Sequence, residues 1–192
     1  SVEVLSGREE IEFTEARNEE YRQESLKLIE GNPAMVLWKK IDTEGFGAGR
    51  NLRFGDLDND GDTDVLIGQI LHHGPRDSHS ELSCITAMTF DGDRLWQIGV
   101  PDPEKYNLTN DVGFQIHDLD NDGKNEVIYT MNFEIIVADA ATGKTKYKAA
   151  LPDSKIENDK FRKILGDCLF FFDAEGRGWD SNILTKDRYN NF

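Results

Sequence analysis

Two stretches carry the residues best suited to chemistry: Asp56–Asp64 (DLDNDGDTD) and Asp118–Glu126 (DLDNDGKNE). Each puts carboxylates at positions 1, 3 and 5, glycine at position 6 and an acid at position 9. Alternate carboxylates in such a run turn inward round one centre, the glycine permits the bend, and the ninth residue closes the shell. That donor set suits Ca2+, a hard cation that takes roughly 6–8 oxygen ligands. The first site would use Asp56, Asp58, Asp60 and Asp64 with the backbone carbonyl of Asp62, and the second Asp118, Asp120, Asp122 and Glu126 with the carbonyl of Lys124. The competing reading is a polar turn that holds no ion. Carboxylates this close repel one another unless neutralised, which favours calcium. A helix-loop-helix calcium site needs glutamate at position 12, where Ile67 and Tyr129 stand, so the expected sites are turns between strands.

The elements that must position these turns repeat with them. The acidic phrases start 62 residues apart, and the flanks RFGDLDNDGDTDVLIGQ and QIHDLDNDGKNEVIYTM align across their whole length. A worn third copy, LFFFDAEGRGWDSNILTKD, begins its acids at Asp173; it carries Arg177 where a ligand should be and needs one extra residue, so it is expected to be metal-free. Self-similarity at about 50 residues signals a repeat architecture. Each unit reads as four short strands. The first (NLRFG, GFQIH, CLFFF) ends at the acidic phrase, and the second (DVLIGQ, EVIYTM, NILTKD) follows it. The third (CITAMTF, EIIVADA) turns through DGD or ATGK into the fourth (RLWQIGV, TKYKAAL), with glycine supplying positive φ.

Four antiparallel strands per repeat describe a β-propeller blade. The expectation is an all-β propeller segment of about two and a half blades, an incomplete propeller, over residues 34–192, with repeats centred on 56, 118 and 173. PAMVLWKKIDT matches a fourth strand, so the chain is expected to enter the array there and to draw further blades from a missing part of the chain or from another chain. Residues 1–33 read as a helical cap or linker, helical over roughly 15–30 and stopped at Gly31-Asn32-Pro33.

Composition narrows the partners. With 37 acidic against 22 basic residues and a net charge of -15, the chain repels nucleic acid and anionic membrane surfaces. No apolar run reaches the ~20 residues of a membrane span, which excludes insertion by a helix. The chain begins at Ser1 rather than Met, which points to a removed upstream segment and to a secreted, periplasmic or cell-surface location. Cys84 and Cys168 lack metal or redox spacing and read as packed strand residues rather than a disulfide.

The repeats resemble the FG-GAP or VCBS class of calcium-binding propeller blade. The wording DGDRLWQIG and ILTKDRYNNF is most similar to the propellers of rhamnogalacturonan-type and ulvan-type polysaccharide lyases, over roughly residues 35–192. That resemblance implies structural calcium sites and a secreted lyase performing β-elimination on an acidic, uronate-containing polysaccharide. The alternative is a non-catalytic carbohydrate- or protein-binding or adhesion module.

Strand alternation places the acidic turns on one face of a blade and the second-to-third and fourth-to-first connections on the other. The latter face gathers His72, His73 and His79 from ILHHGPRDSHSEL, Lys186, Arg188 and Tyr189 from KDRYNNF, and Arg50, Asn51, Asn110 and Asp111 at the tops of the first strands. Elimination needs a base, an acid and a carboxylate neutraliser. Arg188 would hold the uronate, His72 or His73 would act as base or neutraliser, and Tyr189 would assist proton transfer, with Arg76 and Lys186 adding positive charge. The competing reading is a solvated polar loop. His117 lies at the acidic end of its strand and is expected to be structural.

Overall fold

The computed structural model describes residues 7–47, 50–73, 80–105, 107–108, 110–155, 157 and 161–186. The chain divides into two compact units, Ser1–Lys40 and Ile41–Phe192, a boundary beyond the expected 33/34. The first unit holds helix α1 (Gly7–Gly31), longer than expected, whose described residues are exposed. A helix without an apolar stripe depends on local pairs, here Arg8–Glu12 at 3.0 Å and Gln23–Glu19 at 2.7 Å. The reading of PAMVLWKKIDT as a fourth strand is not borne out: this segment is in no strand, and Met35, Val36, Leu37 and Trp38 are 80–100% exposed. A fourth strand exists only by pairing with a third, and no described strand pairs with this segment.

The second unit is built of antiparallel strands as the repeats predict. β1 (Leu52–Gly55), β2 (Asp64–His72), β3 (Ser80–Thr89) and β4 (Arg94–Gly99) form one sheet in chain order. β5 (Phe114–His117), β6 (Glu126–Met131), β7 (Glu134–Asp139) and β8 (Thr145–Ala150) form a second, and β9 (Cys168–Phe172) pairs with β10 (Asn182–Lys186) in a third. The two full sheets share one register defect: β4 and β8 each shift by one residue against the preceding strand, and the residues displaced are Leu95 and Lys146.

Burial follows from stacking these sheets. Leu66, Ile70, Leu82 and Ile85 of the first sheet pack with Phe114, Val127, Tyr129 and Met131 of the second in one apolar cluster. Ile128 and Val137 pack with Leu169, against which Phe171 and Ile183 of the third sheet also lie. The approach is close at Gly68, where an added Cβ would sit 3.0 Å from Leu82 and 3.1 Å from the Phe114 ring. Trp96 of β4 reaches over the second sheet and donates its indole N–H to the Ala140 carbonyl at 2.7 Å. Arg53 of β1 lies 4.4 Å over the Phe114 ring and donates to Gln115 of β5 at 3.0 Å. Cys84 and Cys168 are free thiols in β3 and β9.

Candidate functional site

The acidic loops join the first two strands of each sheet. In loop 1, Asp56 caps its own turn: its Oδ1 accepts the Asn59 N–H at 2.7 Å and its Oδ2 the Gly61 N–H at 3.1 Å. The chain bends there because Asn59 and Gly61 take φ of 66° and 91°, values open to Asn and Gly. Asp64, at the start of β2, is 2% exposed and accepts the Leu57 N–H at 2.9 Å. Ligand atoms of Asp56, Asp58 and Asp64 all lie within 4.8 Å of one another. The exposed Asp60 stands outside that triad and accepts the N–H of the exposed Asp62 at 2.8 Å. Among the described residues no lysine or arginine pairs with the triad. Burial holds the Asp64 carboxyl above its ordinary value; the Leu57 N–H opposes this, while Asp58 and Asp60 add to it. An oxygen-only donor set with a buried, uncompensated carboxylate fits a hard cation, and the triad would hold it.

Loop 2 has the same backbone and a different charge balance. Asp118 accepts the N–H groups of Asp122 at 3.1 Å and Gly123 at 3.0 Å, and Glu126, 2% exposed, accepts the Leu119 N–H at 2.8 Å. The converging triad is Asp118, Asp120 and Asp122, not the set that includes Glu126. Lys146 bridges the two sets: its Nζ lies 2.6 Å from Glu126 Oε1, outside the triad, and 2.8 Å from Asp120 Oδ2, within it. The hydrogen bonds to Asp120 and then Glu126 raise the Lys146 ammonium well above its ordinary value, against a smaller opposing effect of burial. Lys124 is exposed and donates its N–H to Asp122 at 2.8 Å. The loops also touch, since Asn125 donates to the Asp56 carbonyl at 2.8 Å.

Loop 3 keeps the scaffold with fewer carboxylates. Asp173 accepts the Arg177 and Gly178 N–H groups at 2.9 and 2.7 Å, the same spacing as Asp118 with Asp122 and Gly123. Those two amides hold its carboxyl below the ordinary range. A neutral amide, Asn182 Oδ1, accepts the Ala174 N–H at 2.9 Å where the other loops use Asp64 and Glu126. Arg177 pairs with Glu175.

The opposite end of the first sheet holds His72 and His73. His72, the last residue of β2, places Nδ1 2.7 Å from Ser80 Oγ, and that oxygen accepts from Asn110 Nδ2 at 2.8 Å. The second-to-third and fourth-to-first connections therefore meet, as alternation predicts. His73 Nε2 lies 3.0 Å from Glu81 Oε1; Glu81 is 8% exposed and its Oε2 has no hydrogen-bond partner. The His73 ring meets Phe161 edge-on at 5.5 Å, and Phe161 meets Phe133 at 5.4 Å. Phe133 sits in a two-residue turn with φ of 61°, a strained value for a bulky residue. Arg50 pairs with Asp111 at 3.6 Å and Lys186 with Asp167 at 2.9 Å. Asn51 is 2% exposed at the entrance to β1. Arg76, His79, Arg188 and Tyr189 lie outside the described residues. His117 stacks on Phe171 at 4.3 Å and bonds the Asp180 carbonyl at 2.7 Å, a packing role.

Comparison with known proteins finds no matching family model, curated protein or solved structure. Five residues of the site escape a reading by motif: Lys146, Asn125, Asn182, Ser80 and Glu81. One signal exposes Lys146, which stands where the aligned first repeat has Leu95, a charge in place of an apolar residue.

Proposed function

We propose that this chain supplies calcium-stabilised blades to a β-propeller and carries, at the end opposite the acidic loops, part of a site that cleaves an acidic polysaccharide by β-elimination outside the cytoplasm. The observation that carries the lyase reading is the convergence of His72 with Ser80 and Asn110 beside the His73–Glu81 pair, at the far end of β2 from Asp64. The stacked antiparallel sheets support the propeller, and the oxygen triads of loops 1 and 2 support calcium.

In this reading Glu81 accepts the Nε2–H of His73 and so makes Nδ1 the proton-accepting nitrogen of the ring, the tautomer a base requires. The base removes the proton beside the uronate carboxylate, the glycosidic C–O bond breaks, and the leaving oxygen takes a proton. Arg188 and Tyr189 are proposed for carboxylate binding and proton transfer. Ultraviolet absorbance from the new conjugated double bond, measured on the full-length protein with rhamnogalacturonan and ulvan, tests the proposal. Activity should appear, and the His72→Ala/His73→Ala double variant should lose at least ~100-fold, the lower range for a proton-transfer residue. Activity undiminished in that variant would clear both histidines.

One observation favours a second reading. Arg50 and Lys186 on this rim are each matched by an aspartate, on a chain of net charge -15, which suits a non-catalytic adhesion module better than capture of a polyanion. Measurable glycan or protein binding with no absorbance on any uronate polymer would decide for it.

A further inference from the structure

We infer that Lys146 is a tethered cation competing with metal for loop 2, so that two loops nearly identical in sequence respond differently to calcium. The inference rests on the calcium reading above and adds a regulation that the motif does not contain.

The three loops form a series in which the first hydrogen-bonded turn is shared and the source of positive charge changes. In each, the first aspartate accepts the N–H five residues on, from Gly61, Gly123 or Gly178, at 2.7 to 3.1 Å. In each, a later side chain caps the second residue's N–H, from Asp64, Glu126 or Asn182. The turn therefore forms through its own amides, and what differs is how the remaining carboxylates are balanced. Loop 3 has Arg177 on Glu175 within the turn itself. Loop 2 has Lys146, supplied from β8, on Asp120 and Glu126. Among the described residues, the loop 1 triad has neither, and the residue at the matching displaced position of β4 is Leu95.

Position decides the effect. Lys146 does not neutralise from a distance: its Nζ takes one oxygen from position 3 and one from position 9, two of the groups a cation in this loop would use. Glu126, held by Lys146, is absent from the converging triad, whereas its counterpart Asp64, without such a partner among the described residues, belongs to it. The Lys146 side chain is 26% exposed, so its head can be released to water when a metal arrives. Calcium must displace it from both carboxylates before the shell can close, and loop 2 should bind more weakly than loop 1.

Calorimetric titration of the full chain with calcium tests this. With loop 1 disabled by Asp58→Ala, Lys146→Leu, which copies Leu95, should tighten binding at least about tenfold, the order set by either one of the two charge-assisted hydrogen bonds no longer broken. Lys146→Gln, which removes the charge and keeps a donor, should do so partially and guards against misfolding of the leucine variant. With loop 2 disabled by Asp120→Ala, Leu95→Lys should weaken loop 1. If loop 1 binds calcium while loop 2 affinity is indifferent to Lys146→Leu and Lys146→Gln, the competition is wrong and the calcium reading stands. If neither loop binds calcium in any variant, both fall.

Discussion

Replacing Asp64 separates the two jobs that one buried carboxylate performs. The side chain is 2% exposed; its Oδ2 accepts the N–H of the fully buried Leu57 at 2.9 Å, and its charge lies within 4.8 Å of the ligand atoms of Asp56 and Asp58. Asp64→Ala removes both and leaves the Leu57 N–H buried without its partner, a cost of about 1–3 kcal/mol. For a unit of this size that is a fall of about 2–12 °C in melting temperature. Asp64→Asn keeps an oxygen for Leu57 and removes only the charge. Without metal that charge is desolvated and repelled by its neighbours, so the Asn variant should melt no lower than the parent in EGTA, while the Ala variant melts below both. Calcium at about a hundred times its dissociation constant should stabilise the parent by about 2.7 kcal/mol and the Asn variant by less, reversing their order. Thermal melts of the three proteins in EGTA and in calcium give the answer. An Asn variant that falls as far as Ala in EGTA would refute the division of labour argued from the geometry. A parent whose melting does not respond to calcium would refute the cation reading of loop 1.

Two further outcomes are expected. Trp96→Phe removes the indole N–H from the Ala140 carbonyl, on a residue 1% exposed, and should cost about 1–3 kcal/mol in denaturant melts; no loss would mean that this bond between the first two sheets contributes nothing. Asp173 has a carboxyl depressed by the Gly178 and Arg177 amides, so its contribution is present above the ordinary carboxylate pKa and lost as pH falls through the lower, folded value. Asp173→Asn should therefore destabilise the β9–β10 hairpin at neutral pH and lose that effect in acid, read by hydrogen exchange of the Gly178 amide; an effect independent of pH would contradict this.

The strands, their order within each sheet and the placing of the acidic turns were legible in the sequence because they are set by local rules. Apolar runs beside the acidic phrases and glycine at tight turns act within a few residues, and their recurrence along the chain marks out β1 to β10. The fourth-strand reading of PAMVLWKKIDT failed for a reason the same rules cannot reach. A strand is a property of a pair, and apolar pattern alone does not provide the neighbour.

Sequence by itself determined that carboxylates would converge at the loops following β1 and β5, since ligand spacing and turn geometry are written into consecutive residues. Tertiary structure decided which of them converge and what balances them. Asp60 and Glu126 stand outside the triads while Asp64 and Asp122 stand within, and Lys146 arrives at loop 2 across two strand pairings from β8. Likewise His72 and His73 were visible as an adjacent pair, but the folded chain supplies Ser80, Glu81 and Asn110 as their partners. The physical reason is common to both cases. Charge and hydrogen-bond partners act through space over a few ångströms, and residues distant in the chain come within that range only after the sheets have stacked.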